Sequence, residues 1–95
     1  MGKLISVIGA GGWGTALAIV LGQKRLRVNL WCHGTQTYRE LKETRQNRSY
    51  LSGIMIPDAV NVTRSLVEAV RDTELVCCVV PSHAVRQVIN DSWQS

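Results

Sequence analysis

Glycines at positions 9, 11 and 14 make a G-x-G-x-x-G spacing, whose chemistry is to hold a diphosphate against bare backbone. Gly9 lets the chain leave a strand through a tight turn that a Cβ would obstruct. Gly11 leaves room for a pyrophosphate to approach, and Gly14 lets the next helix lie close to the strand. The free N–H groups and positive dipole end of that helix then face the anion. The spacing alone is a weak signal, since a glycine-rich turn without a ligand can carry it. Here it lies between an apolar strand with Leu4, Ile5, Val7 and Ile8 and the helix that follows the turn, the context a dinucleotide site requires.

The choice of dinucleotide is read further along. An Asp or Glu about 20 residues beyond the glycines normally binds the adenosine ribose hydroxyls and repels a 2′-phosphate. Residues 28–37 contain no acid, and His33, Thr35 and Thr37 offer donors there, with Arg39 one helical turn on. NADPH is therefore expected to be accepted, with NADH the alternative. Across from the glycines, Pro81, Ser82 and His83 follow the last strand. His83 either lies near the cofactor or faces solvent in a first helical turn, and no catalytic role is assigned to it.

Composition narrows the remaining chemistry. The three cysteines, Cys32, Cys77 and Cys78, lack metal-ligand spacing, and neighbours on a strand point to opposite faces, so no metal site and no disulfide are expected. Cys77 and Cys78 read as buried core residues, and Cys32, near a strand end, as the more exposed thiol. A net charge of +4 favours anionic ligands without naming one. Arg39, Lys42, Arg45 and Arg48 read as a solvated helix face, with phosphate or nucleic-acid contact as the alternative. No nucleic-acid motif accompanies them. No apolar stretch approaches the roughly 20 residues of a membrane span, and no signal peptide is evident, so a soluble, cytoplasmic protein is expected.

Taken in order, the 95 residues alternate strand and helix as one small domain. Residues 4–9 are too continuously apolar for a surface strand. Trp13, Ala16, Leu17, Val20 and Leu21 then mark the expected inward stripe of the first helix. Leu26, Val28 and Leu30 alternate with polar or larger residues as a second strand. Residues 35–47 suit a helix, with a capping box from Thr37 to Glu40. The apolar residues of 47–57 are expected to fold back onto the core or line a cleft. A short strand at 60–62 precedes a short helix capped by Ser65 and Glu68. Residues 74–80 read as a central parallel strand, ended by Pro81 before a final helix. Right-handed crossovers make this an α/β fold, a partial Rossmann-type doubly wound parallel sheet of about four strands in the order 3-2-1-4. The order reverses between the first and fourth strands, and a ligand binds beyond their carboxyl ends.

Four pieces of the sequence resemble the bacterial-type NAD(P)-dependent glycerol-3-phosphate dehydrogenases. They are Val7-Ile8-Gly9-Ala10-Gly11-Gly12-Trp13-Gly14-Thr15-Ala16-Leu17-Ala18, Leu30-Trp31 with His33, Tyr50-Leu51 before Gly53-Ile54, and Val80-Pro81-Ser82-His83-Ala84. The resemblance implies that residues 1–95 are an N-terminal NAD(P)-binding domain, with a helical substrate domain absent. Its reaction would be the reversible reduction of dihydroxyacetone phosphate to sn-glycerol 3-phosphate, feeding phospholipid synthesis. By the matched positions, Gly12 and Trp13 would contact the cofactor, His33 would lie at the adenosine ribose or its phosphate, and Tyr50 would sit near the cleft. Gly12 stands where the family commonly has Ser, Cys32 replaces a usual small residue, and Ser52 stands where Pro is usual. The family's catalytic lysine and its contacts to the phosphorylated substrate lie in parts not represented, so the chain is expected not to turn over alone. Ending at the fourth strand would leave an apolar edge and favour homo-oligomers. Two other readings are a non-catalytic dinucleotide-binding module and a related reductase acting on a keto acid or sugar acid.

Overall fold

A β-branched, apolar run is most stable as a parallel strand when both its faces are covered. In the computed structural model, which describes residues 4–47 and 53–79, four strands pair side by side. The elements are β1 (Leu4–Ile8), α1 (Gly12–Gln23), β2 (Arg27–Trp31), α2 (Thr35–Thr44), β3 (Val60–Thr63), α3 (Leu66–Val70) and β4 (Leu75–Cys78). The strands lie in the order β3-β2-β1-β4, all parallel, as the sequence pattern predicts. In register, Ile8 sits between Trp31 and Cys78, so three strands end at one level.

Alternation along the strands divides the core between two faces. Val7, Val28, Leu30, Val60 and Val62 pack with Ala18 and Ile19 of α1 and Leu41 of α2. Ile8 and Trp31 pack on the other face with Ala69 and Leu66 of α3. On that second face Asn29 is satisfied by donating from Nδ2 to the Ala69 carbonyl at 3.1 Å.

The inward face of α1 differs from the expected stripe. Gly14, Thr15, Ala18, Ile19 and Gly22 are buried, Trp13 is 82% exposed and Val20 is exposed. Leu17 and Leu21 only flank the core. Close approach explains the rotation: a Cβ on Gly22 would stand 3.0 Å from Val60 Cγ2 and 3.2 Å from Pro57 Cβ. A helix seated this tightly turns its smallest residues inward and its larger ones to the flanks.

The second helix also departs from its reading. It starts after Gly34, with no side-chain cap, so the Thr37–Glu40 box does not form. It stops at Thr44 because Arg45 is left-handed, with φ 56°. The Arg45 guanidinium turns inward and donates to the carbonyls of Pro57 at 2.6 Å and Val60 at 2.9 Å, while Ile56 N–H donates to the Arg45 carbonyl at 2.7 Å. Arg39 and Lys42 are solvated as expected, and Arg45 is instead a clamp between α2 and the approach to β3. Arg48 lies outside the described residues. Of the 47–57 segment, residues 48–52 lie outside the described residues; Ile56 is buried in the core, whereas Ile54 and Met55 are exposed.

At α3, Ser65 Oγ accepts from Glu68 N–H at 3.2 Å, as the capping pattern predicts. The Glu68 carboxylate accepts from Thr63 Oγ1 at 3.5 Å. Among the described residues β4 forms the sheet edge beyond β1, and Leu75 and Val76 are exposed, not covered like a central strand. The cysteines accordingly reverse their expected order. Cys32 is buried, Cys77 is half-buried and Cys78 is exposed. Cys32 belongs to the crowded α1–α2 face, whereas α3 packs mainly over β1, β2 and β3.

Candidate functional site

The turn after β1 is shaped by what a side chain would do there. Gly9 has φ 118°, a conformation that disfavours any Cβ, and its N–H donates to the Trp31 carbonyl at 3.1 Å. Gly14 sits against Gly9 so closely that an added Cβ would overlap the Gly9 carbonyl oxygen. A Cβ on Gly11, in contrast, would meet nothing within 4 Å. The first two roles are steric necessities of the fold; Gly11 keeps an open space that packing does not require.

Helix α1 starts beneath that space with Gly11 as its N-cap. No side chain caps it and no acid lies in its first turn. The first amides of the helix have no intrahelical acceptors, and the helix dipole adds partial positive charge at the same point. The turn therefore offers donors and field to an anion, with no built-in carboxylate to compete.

The rest of the turn is held from below by residues the sequence reading did not single out. Asn47 is fully buried, and its Nδ2 donates to the Ala10 carbonyl and to Thr15 Oγ1, both at 2.8 Å. Thr15 Oγ1 in turn donates to the Ala10 carbonyl at 3.2 Å. This triangle turns the Ala10 carbonyl inward, away from the open side. No periodicity marks Asn47, which follows α2 by three residues, so only the folded chain brings it beneath the glycines.

Above the turn lies a cleft of about 390 Å³. Residues 9–13 form one wall, residues 31–34 with Thr37 the other, and Val79 closes the side next to β4. The cleft thus opens where β1, β2 and β4 end, at the predicted reversal of strand order. Gly9, Gly11, Gly12, Trp13 and His33 all line it, and Gly14 supports it from beneath. Tyr50, Pro81, Ser82 and His83 lie outside the described residues. Thr35 and Arg39 are exposed and do not line the cleft, whereas Thr37 does.

Trp31 and His33 belong to the wall that faces the glycine turn. Their rings lie 5.4 Å apart at 42°, and Trp31 Nε1 donates to the Arg64 carbonyl at 2.9 Å. Arg64 reaches back to donate to the His33 carbonyl at 3.4 Å. Between them, burial pushes the Cys32 thiol up to about 11, against the opposing pull of the Gly34 backbone and the Arg64 charge. Cys32 is consequently a neutral wall element and no nucleophile near neutral pH. Among the described residues no group of three or more His, Cys, Asp or Glu side chains could hold a metal ion. No described helix is long and apolar enough to cross a membrane.

A parallel sheet in this order, with a glycine turn and an uncapped helix start at its switch point, defines a Rossmann-type dinucleotide-binding fold. The profile of the NAD-dependent glycerol-3-phosphate dehydrogenase N-terminus matches residues 4–94, and the chain belongs to that family. It is 45% identical over 85 residues to a glycerol-3-phosphate dehydrogenase [NAD(P)+] of Chlorobium limicola, covering 90% of this chain and 26% of the relative. With the Geobacter sp. strain M21 enzyme of the same name it shares 41% over 92 residues, covering 97% of this chain and 28% of the relative. The glycerol-3-phosphate dehydrogenase structure from Coxiella burnetii superposes with a TM-score of 0.87 at 32% identity, covering 95% of this chain and 28% of that one. The chain therefore spans about a quarter of the length of these relatives.

Proposed function

We propose that the chain is the cofactor-holding part of a glycerol-3-phosphate dehydrogenase. It takes NADPH or NADH with the diphosphate against the amides at Gly11, Gly12 and Trp13 and the adenosine half towards His33. Gly9 and Gly14 serve by shaping the turn, and Tyr50 and Pro81 are assigned to the rim by their place in the sequence. The observation that carries this reading is the vacant volume at Gly11, where even a methyl group would touch nothing within 4 Å, set over an uncapped helix start. A diphosphate matches both the space and the charge.

When bound, the nicotinamide supplies or accepts the hydride that interconverts dihydroxyacetone phosphate and glycerol 3-phosphate. The chain's own contribution is binding and orientation, the entropic part of catalysis. No catalytic residue is assigned within it. The general acid and the contacts to the phosphorylated substrate are assigned to the length that the relatives have and this chain does not cover. Residues 1–95 are read as an N-terminal NAD(P)-binding domain of a cytoplasmic, oligomeric enzyme of glycerophospholipid synthesis.

Calorimetric titration at low salt tests the cofactor half of the reading. Saturable, one-to-one binding of NADPH or NADH is expected, and no heat from either would overturn it.

A further inference from the structure

We propose that Arg64 receives the adenosine 2′-phosphate of NADPH and so sets the preference between the two dinucleotides; the proposal rests on the dinucleotide reading above. Arg64 directly follows β3, beside the end of β2. Its backbone is fixed from two sides. Trp31 Nε1 donates to its carbonyl at 2.9 Å, and the preceding Thr63 carbonyl accepts from Cys32 N–H at 2.9 Å.

From that anchor the side chain folds over the end of β2, where the guanidinium donates to the His33 carbonyl at 3.4 Å. Its charge is also felt at the Cys32 thiol, which it lowers against the larger effect of burial. The hydrogen bond to His33 thus puts the cation over residues 32–33, where a dinucleotide fold holds the adenosine ribose. Residues 28–37 supply no carboxylate to repel a phosphate there.

Energetics favour an exchange of partners. Arg64 is exposed and its bond to the His33 carbonyl is long and made to a neutral acceptor. A 2′-phosphate offers charge-assisted, bidentate bonding to the same planar guanidinium, which is shorter and roughly twice as strong. NADH offers only ribose hydroxyls and gains little from it. Arg39, the cation that sequence spacing points to, is exposed on α2 and, like Arg64, does not line the cleft; what favours Arg64 is its bond to the His33 carbonyl at the rim.

The test measures the affinities of NADPH, NADH and 2′,5′-ADP for the unmodified protein and for Arg64→Gln and Arg64→Lys. Arg64→Gln is expected to weaken NADPH and 2′,5′-ADP about tenfold or more while leaving NADH within about twofold, and to flatten the salt dependence of NADPH binding. Arg64→Lys is expected to restore part of the loss, because it keeps the charge and loses the fork. Equal losses for NADPH and NADH, or no change in either, would overturn the role of Arg64 while leaving the dinucleotide reading intact. An unmodified protein that binds none of the three would overturn both.

Discussion

Gly14 passes so close beneath Gly9 that a Cβ on Gly14 would stand 2.8 Å from the Gly9 carbonyl carbon and overlap its oxygen. Gly14 is held to glycine by space, whereas Gly9 is held by its φ of 118°. Gly14→Ala must push α1 off the turn, an overpacking cost of about 1–3 kcal/mol. Urea denaturation should show a lower midpoint with little change in slope. A variant as stable as its parent would mean that α1 is not seated as described.

The triangle of Asn47, Thr15 and the Ala10 carbonyl predicts coupled losses. Asn47→Ala takes the donor from Thr15 Oγ1 and one of two donors from the Ala10 carbonyl, and should cost about 2 kcal/mol. Thr15→Val removes only one corner. The double variant should lose less than the sum of the two, by at least ~0.5 kcal/mol, because either single change already breaks the Asn47–Thr15 bond. Strict additivity in the double-mutant cycle would show that they act separately.

Thiol chemistry should follow burial and not chain position. Iodoacetamide near pH 8 is expected to label exposed Cys78 first and Cys32 last, read by peptide mass mapping. The raised Cys32 pKa also gives a signed pH dependence. Below pH 9.0 folded and unfolded thiols are both protonated, and between 9.0 and about 11 the unfolded chain releases a proton that the folded chain keeps. The Cys32 contribution to stability is therefore full below pH 9.0 and falls as pH rises through that window. Cys32→Ala should flatten this alkaline slope, and an unchanged slope would assign it to other groups.

At the sheet edge, Leu75 is 55% and Val76 48% exposed on β4. An apolar edge strand recruits another strand. The 95-residue chain is expected to self-associate in light scattering as concentration rises, and Val76→Lys to shift it towards monomer. A monodisperse unmodified monomer at high concentration would contradict this.

Legibility in the sequence followed the range of the interaction. The glycine turn, the strand order and the Ser65 cap were readable because each is written in adjacent residues or in the alternation of strand and helix. The inward face of α1 was not, because hydrophobic periodicity weights Trp13 and Val20, whereas the close seat on β3 selects Gly22 and Ala18. Asn47, Arg45 and Arg64 act on carbonyls distant in sequence, at Ala10, Val60 and His33. Nothing local in the chain announces such bonds. The cysteines depart from expectation for a related reason: a strand's apolar run does not say whether it ends up flanked or at the edge.

Gly11→Val separates the site from the scaffold more sharply than any other change. Its Cβ would meet nothing within 4 Å and its φ of −76° suits any residue, so only the poorer N-cap should register, a fall in the thermal midpoint of about 5 °C with cooperative unfolding kept. Calorimetric titration of the same variant with NADPH should show affinity lost by roughly a hundredfold or more, since the side chain would fill the volume assigned to the diphosphate. Unchanged NADPH affinity in a normally folded Gly11→Val protein would contradict the account.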